Sequence, residues 1–176
     1  MPGSPRWSWG GSWGLAGESV AATRRSIYIR SMSDLYPTAI LALAADIPCL
    51  GPLPPGEGRT GRARKRSMVC GSEVEVAVRL DTEGRVAALG LDVAACALGQ
   101  ASASILGKHA LGASLEEVRC ARDGLEQMLK AGAPAPQGRF AELSALAPVR
   151  DYPRRHASTL LAWNAAVEAI ENAERA

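Results

Sequence analysis

The sequence feature that most restricts the fold is a pair of neighbouring segments with the periodicity of β-strands. Residues 69–81 alternate between apolar and polar positions, with Val74, Val76 and Val78 on one side. A Thr-Glu-Gly sequence then predicts a turn, and residues 85–93 predict a second strand. Together these segments predict an antiparallel hairpin with one half-buried face, which helices elsewhere in the chain must cover.

A cysteine, Cys96, follows the second predicted strand. Residues 97–106 are mostly small or apolar and predict a helix, so Cys96 lies at or near a helix N-terminus. Unpaired N–H groups and the positive end of the helix dipole favour an anion there, which would stabilise a thiolate and allow a soft metal or a persulfide to be held. An inert, buried cysteine is the alternative, because free cysteine is one of the most buried residue types.

A second cysteine, Cys70, lies at the start of the first predicted strand. In an antiparallel pair, the start of one strand and the end of the other lie at the same edge. The sulfurs of Cys70 and Cys96 are therefore expected to converge, although the two residues are far apart in the sequence.

The residues around the two cysteines resemble the signature segments of a known family. The segment Cys70-Gly71-Ser72 is similar to its CGD segment, and residues 96–104, CALGQASAS, are similar to its C-x-x-x-x-A-S-A-S segment. This is the U-type iron–sulfur cluster assembly scaffold family, also called the NifU N-terminal-like or SUF scaffold family. The resemblance extends from about residue 36 to about residue 170.

Two positions depart from the family pattern. The family aspartate after CG is Ser72 here, and its third cysteine, in the segment P-x-R-x-x-C-A-x-L-A-W, is Ser158. Serine is a poor ligand for soft metals, whereas the imidazole of His156, two residues earlier, suits zinc and iron. The resemblance implies that Cys70 and Cys96 are ligands, and ligand chemistry makes His156 the candidate for a third, which would leave an open fourth position. Ser72 and Ser158 are further site positions.

Each of these residues also has a structural interpretation. Cys70 would otherwise be a small residue at a strand edge, and His156 a polar residue near a helix N-terminus. Cys49 and Cys120 are predicted to be structural or incidental, as is His109. The four cysteines form no CxxC pair, which argues against a zinc ribbon and a disulfide framework and favours a reducing cytosol.

The resemblance implies a protein that assembles iron–sulfur clusters and is a scaffold or sulfur acceptor, not an enzyme. The expected partners are a cysteine desulfurase, which supplies sulfur, and recipient apo-proteins. The expected bound species is iron or an iron–sulfur cluster of the 2Fe–2S type, with zinc as a possible substitute. Two alternatives stay open: an interaction or regulatory protein that keeps the fold without metal, and a zinc-dependent sulfur-transfer protein.

The expected fold class is α+β, with a small antiparallel sheet packed against several helices in one domain over residues 32–176. Residues 49–67 are rich in glycine, proline and basic residues and predict an irregular lead-in. Ser114 and Glu117 have the spacing of a capping box. The expected helices are one from residue 34 or 37 to about 45, one after Cys96, one after the capping box, a short one at 139–146 and a long final one at about 155–173.

Charge and hydropathy argue against nucleic-acid and membrane partners. The formal net charge is only +2, and the cluster of basic residues has no interleaved aromatic residues, which favours a solvated loop. No apolar run approaches the roughly 20 residues that cross a bilayer. The basic cluster comprises Arg59, Arg62, Arg64, Lys65 and Arg66. The family-like motif pattern, together with the cysteine spacing, favours a bacterial-type cytoplasmic protein.

Residues 1–31 differ from the rest of the chain, because they are rich in Gly, Ser, Arg and Trp and show no sustained periodicity. We interpret them as a disordered extension or as a mis-assigned start, with Met32 as the natural first residue. The alternative is an organelle transit peptide, since the segment is poor in acidic residues.

If residues 1–31 are dispensable for folding, a chain that begins at Met32 will have the same melting temperature, within error, as the full chain. The physical reason is that an aperiodic segment contributes no apolar face to the core. Thermal unfolding followed by circular dichroism measures this, and a large drop in melting temperature would contradict it.

Overall fold

A computed structural model gives the structure of residues 37–176, so the extension proposed for residues 1–31 lies outside the described residues. The fold is the expected α+β arrangement, in which a three-stranded antiparallel sheet packs against helices. In chain order the elements are α1 (Thr38–Ala45), β1 (Arg59–Arg66), β2 (Glu73–Leu80), β3 (Val86–Ala94), α2 (Ala97–His109), α3 (Leu115–Ala131), a 3₁₀ segment (Gly138–Asp151) and α4 (Pro153–Arg175).

The sheet has the strand order β1-β2-β3, and both neighbouring pairs are antiparallel. Val76 at the centre of β2 lies opposite Ala63 on β1 and Leu91 on β3. The long helix α4 lies against β1 and β2 and packs in turn against α2 and α3. The predicted β2–β3 hairpin is therefore present, and its buried valines face the helical layer.

Strand β1 corrects the expectation that residues 49–67 form an irregular, solvated lead-in. Residues 59–66 pair along their whole length with β2. Ala63 is the one buried residue of the strand, so β1 lacks the apolar alternation by which strands are recognised in sequences. Its stability depends instead on the neighbouring elements.

Ion pairs with β2 hold two of the basic side chains of β1, those of Arg62 and Arg64. Arg64 bonds Glu73 at 2.9 Å and Glu75 at 2.7 Å, and Arg62 lies 3.1 Å from Glu75. Opposite charges on neighbouring strands stabilise a sheet, while a basic edge discourages pairing with other chains. Arg62 and Arg64 of the basic cluster are thus paired with acidic side chains within the sheet.

A buried hydrogen-bonded chain connects α2 to α4. The indole Nε1–H of Trp163 donates to Ser102 Oγ at 3.0 Å, and Ser102 Oγ donates to the carbonyl of Thr159 at 2.6 Å. Phe140 packs edge-on against the same indole, with ring centroids 5.1 Å apart. These contacts determine how the first turns of α2 lie against the first turns of α4.

The remaining helices lie where the sequence pattern predicts them, but their first and last residues differ from the expected ones. The capping box before α3 is confirmed, since the Glu117 N–H donates to Ser114 Oγ and the Ser114 N–H donates to the Glu117 carboxylate. The short helix expected at 139–146 is a longer 3₁₀ segment, and α4 begins at Pro153. None of the helices in the described part of the chain has the length and hydropathy that crossing a lipid bilayer requires.

Gly61 allows β1 to approach α4. A Cβ atom at this position would lie 2.0 Å from the carbonyl oxygen of Ala169 and 2.4 Å from the backbone nitrogen of Ala173. Neither backbone atom can move without a shift of the helix, so only glycine fits.

Replacing Gly61 by alanine is expected to lower the free energy of unfolding by about 1–3 kcal/mol, the usual cost of overpacking. Urea unfolding measures the loss. Thr60→Ala, at an exposed position on the same strand, is the matched control and should change stability by less than about 0.5 kcal/mol. Equal effects of the two substitutions would contradict the close approach.

Candidate functional site: two cysteines and two serines

The connection between β1 and β2 presents Cys70 to solvent. The backbone N–H of Ser67 donates to the carbonyl of Ser72 at 2.8 Å, and the N–H of Gly71 donates to the carbonyl of Ser67 at 2.9 Å. Gly71 has a φ of +72°, which glycine adopts without strain. Ser67 Oγ accepts the N–H of Val69 at 3.3 Å. The loop is thus closed by hydrogen bonds, with the exposed thiol of Cys70 near its end.

Cys96 is the N-cap residue of α2, where the sequence pattern predicts it. It has extended backbone angles, and its carbonyl accepts the N–H of Gln100 at 2.9 Å, which begins the helix. The side chain is half-buried and packs against the edge of the core.

The hydroxyl of Ser72 connects the two cysteines. The thiol of Cys70 donates to Ser72 Oγ at 3.2 Å, and the backbone N–H of Cys96 lies 3.4 Å from the same oxygen. Ser72 itself is buried. Cys70 precedes β2 and Cys96 follows β3, so the two residues lie together at one edge of the sheet.

Ser158, on the first turns of α4, completes this group. Its hydroxyl donates to the carbonyl of Arg155 at 2.9 Å and lies 3.7 Å from Cys96 Sγ, whose thiol can donate to it. Gly99 leaves room here, because a Cβ at this position would lie 2.8 Å from the Cβ of Ala95 and 3.2 Å from the carbonyl oxygen of Ser158. We call the four residues Cys70, Ser72, Cys96 and Ser158 the cysteine–serine site.

The structure does not bring His156 into this site. Its Nε2 lies 3.1 Å from the carbonyl oxygens of both Val149 and Arg150, and the side chain is buried. Both neighbours are acceptors, so the proton is assigned to Nε2. Within residues 37–176, no three His, Cys, Asp or Glu side chains are grouped so that they could hold a metal ion. The 3₁₀ segment ends directly before α4. The carbonyls of Val149 and Arg150, near its end, accept the hydrogen bond of the imidazole.

Comparison with protein families identifies the chain. Residues 51–172, which include the whole cysteine–serine site, match the family described as NifU-like N terminal domain. The chain belongs to this family. The resemblance expected from the Cys70 and Cys96 segments is therefore confirmed.

Individual relatives agree with this assignment. The crystal structure of a nitrogen-fixing NifU-like protein (N-terminal) from Brucella abortus has 40% sequence identity and a TM-score of 0.76, and the match covers 82% of this chain and 98% of that one. An iron-sulfur cluster assembly scaffold protein IscU from Streptococcus pyogenes serotype M1 is 29% identical over 107 residues, or 61% of this chain and 67% of the relative. The protein of the same name from Thermotoga maritima is 25% identical over 110 residues, or 62% and 76%.

Hydrogen bonding within the NifU-like site activates the Cys70 thiol. Donors around the sulfur, first the Ser67 side chain and then the side chain and backbone of Ser72, lower the pKa of Cys70 to about 7. Burial raises the pKa of the Cys49 thiol, and the neighbouring Glu116 carboxylate raises the pKa of Cys120. Cys70 is therefore the thiol that these contacts prepare for reaction at neutral pH.

Sequence reasoning missed Ser67 as part of this arrangement. A serine whose hydroxyl bonds the N–H two residues later forms a local turn, and such turns are common at loop positions. The pattern Ser-x-x-Cys-Gly before a strand is the signal from which the hydroxyl near Cys70 can be inferred.

In metal-free protein, Cys70 should be alkylated by iodoacetamide with an apparent pKa of about 7, and at pH 7 faster than Cys49 or Cys120. Ser67→Ala removes a donor that stabilises the thiolate, so the pKa of Cys70 rises and the rate at pH 7 falls several-fold. Ser67→Thr keeps the hydroxyl and is the control. Mass-spectrometric footprinting across a pH series measures the rates, and an unchanged profile in Ser67→Ala would disprove the role of the hydroxyl.

Proposed function

We propose that this chain is an iron–sulfur cluster assembly scaffold, not an enzyme, and that it works in the cytoplasm. The observation that carries the proposal is the convergence of Cys70 and Cys96 on the hydroxyl of Ser72 in a chain of the NifU-like N-terminal domain family. The names of the two IscU relatives support it. In this proposal the two cysteines hold iron or a 2Fe–2S cluster as cargo, because thiolates are the usual protein ligands of such clusters.

Each residue of the cysteine–serine site has a role in this function. Cys70 is exposed and has a pKa of about 7, so a large fraction is thiolate at neutral pH. Cys96 lies at the N-terminus of α2, where N–H groups and the helix dipole favour bound anions. Ser72 and Ser158 orient the two sulfurs through hydrogen bonds.

The sulfur would come from a cysteine desulfurase that carries a persulfide. The Cys70 thiolate attacks the outer sulfur of that persulfide, the sulfur–sulfur bond of the donor breaks, and the donor cysteine leaves as a thiolate. A persulfide then remains on Cys70, and no external oxidant is required. Recipient apo-proteins would take the completed cluster from the exposed edge at which Cys70 lies.

The composition of the site favours one other candidate, an interaction protein that keeps the fold without metal. Ser72 and Ser158 stand where the family pattern has an aspartate and a cysteine, and both hydroxyls are already engaged in hydrogen bonds. Zinc in place of iron would leave the same two thiolates as ligands. Loading experiments separate these candidates.

After anaerobic loading with iron and sulfide, the wild-type chain should show the visible absorption of an iron–sulfur cluster. Cys70→Ala and Cys96→Ala should each lose most of the bound iron and acid-labile sulfide, because each removes one of two thiolate ligands. Cys49→Ala and Cys120→Ala are the matched controls and should load like wild type, since neither thiol belongs to the site.

His156→Ala tests the third ligand expected from the sequence. Because its ring nitrogen bonds two backbone carbonyls, we expect loading like wild type together with some loss of stability. A loss of iron in His156→Ala with the fold intact would restore the imidazole as a ligand. Binding of neither zinc nor cluster by the wild type would favour the interaction protein.

A further inference from the structure

The two thiols of the cysteine–serine site form a pair that is set apart from the other cysteines. Cys49 Sγ lies 3.8 Å from the carbonyl of Gly107, near the end of α2, whereas Cys96 lies before the start of that helix. Cys120 donates to the Glu116 carboxylate at 3.2 Å and lines a separate cleft between α3 and the 3₁₀ segment. A group bound to one thiol of the pair therefore has the other thiol as its neighbour.

The backbone register brings the pair close enough for a covalent bond. Glu73 and Ala94 are the last paired residues at this end of β2 and β3. Two residues beyond them, the same register sets Cys96 opposite Gly71, the neighbour of Cys70. Opposed residues of an antiparallel pair have Cα atoms about 4.5–5.5 Å apart, and a disulfide spans about 4.4–6.8 Å. A disulfide between the two cysteines therefore needs only a local movement of the loop.

The serine hydroxyls determine which side of the Cys70 sulfur faces Cys96. Three of them contact this sulfur and lower the pKa of the thiol to about 7, those of Ser67, Ser72 and Ser158. Ser72 Oγ also lies 3.4 Å from the backbone nitrogen of Cys96, and Ser158 Oγ lies 3.7 Å from Cys96 Sγ. Cys96 is therefore on the hydroxyl side of the Cys70 sulfur, whereas a sulfur donor reaches the exposed Cys70 from solvent.

This arrangement selects the sulfur that Cys96 attacks. An outer sulfur delivered to Cys70 from solvent points away from the hydroxyl side, and so away from Cys96. Displacement at sulfur proceeds along the axis of the bond that breaks. Cys96 therefore meets the inner sulfur, Cys70 Sγ, with the outer sulfur in the position of the leaving group.

We propose that Cys96 attacks a persulfide on Cys70 and releases its outer sulfur as sulfide. The inference rests on the proposed function, in which Cys70 accepts that sulfur. The Cys96 thiolate forms a bond to Cys70 Sγ, the bond to the outer sulfur breaks, and HS⁻ leaves with the electron pair. HS⁻ takes up the proton that the Cys96 thiol gave to solvent. The two cysteines are oxidised to a disulfide, and the outer sulfur is reduced to H₂S.

The reaction gives the site a way to turn accepted sulfur into the sulfide that a cluster contains. Each turnover consumes both thiols, so a dithiol reductant must reduce the disulfide before the site can bind iron. Thiol–disulfide exchange supplies that step, and it passes two electrons from the reductant to the two cysteines. The site thus alternates between an oxidised pair that has released sulfide and a reduced pair that is free to hold iron.

The first test uses the aromatic disulfide dithionitrobenzoate as a coloured analogue of the persulfide. The full chain is reduced, freed of metal and small thiols, and mixed at pH 7 with less than one equivalent of the reagent. Attack by Cys70 releases one thionitrobenzoate and leaves the other on its sulfur, from which Cys96 should displace it. We expect about two thionitrobenzoates per reagent molecule, the second at a rate independent of chain concentration.

Variants show which thiol makes the second displacement. Cys96→Ser keeps a good N-cap for α2 and should release about one thionitrobenzoate per reagent molecule. Cys120→Ser, at an exposed cysteine outside the site, is the matched control and should behave like wild type. Peptide mapping should find the disulfide between Cys70 and Cys96. A second release from Cys96→Ser as fast as from wild type, or a disulfide that includes Cys49 or Cys120, overturns the proposal.

The second test uses cysteine persulfide as the sulfur donor. Wild type should release several-fold more sulfide than Cys96→Ser and should accumulate the Cys70–Cys96 disulfide, whereas Cys96→Ser should retain an added sulfur atom on Cys70. Mass spectrometry and a colorimetric sulfide assay measure these products. A wild-type chain that keeps a stable persulfide on Cys70 contradicts only the release step. Neither persulfide nor disulfide on wild type and Cys96→Ser alike contradicts the acceptor role of Cys70 as well.

Discussion

The hydrogen-bonded contact between α2 and α4 at Ser102 is the constraint on which the site depends. Its hydroxyl accepts from the indole of Trp163 and donates to the carbonyl of Thr159, and all three groups are buried. A slip of one helix along the other would leave these groups unpaired, at a cost of about 1–3 kcal/mol for each. The contact therefore fixes the register in which Ser158, next to Thr159, meets Cys96 at the start of α2.

Features that depend on neighbouring residues could be predicted from the sequence, whereas features that depend on distant ones could not. The β2–β3 hairpin and the capping box of α3 have short-range patterns, and both are present. Strand β1 has no such pattern. The need for Gly61 comes from the close approach of α4, and the basic residues are paired with glutamates of β2. A basic segment next to alternating glutamates is the signal that could have found it.

The candidate site shows the same division. The topology of an antiparallel hairpin was enough to bring Cys70 and Cys96 together, because it requires only strand direction. The surroundings of His156 required knowledge that the preceding segment is a 3₁₀ helix whose last carbonyls face the ring. The activation of Cys70 by Ser67 likewise depends on how the loop closes, which no periodicity encodes.

Under the proposed function, the two serines bear on how readily the site accepts sulfur. An aspartate and a third cysteine would bring further negative charge near Cys70, and like charges raise the pKa of a thiol. Ser72 and Ser158 are neutral and can donate hydrogen bonds, and their contacts contribute to the lowered pKa of Cys70. Under the proposed function, Ser72 and Ser158 therefore make the exposed Cys70 thiol a better acceptor of sulfur.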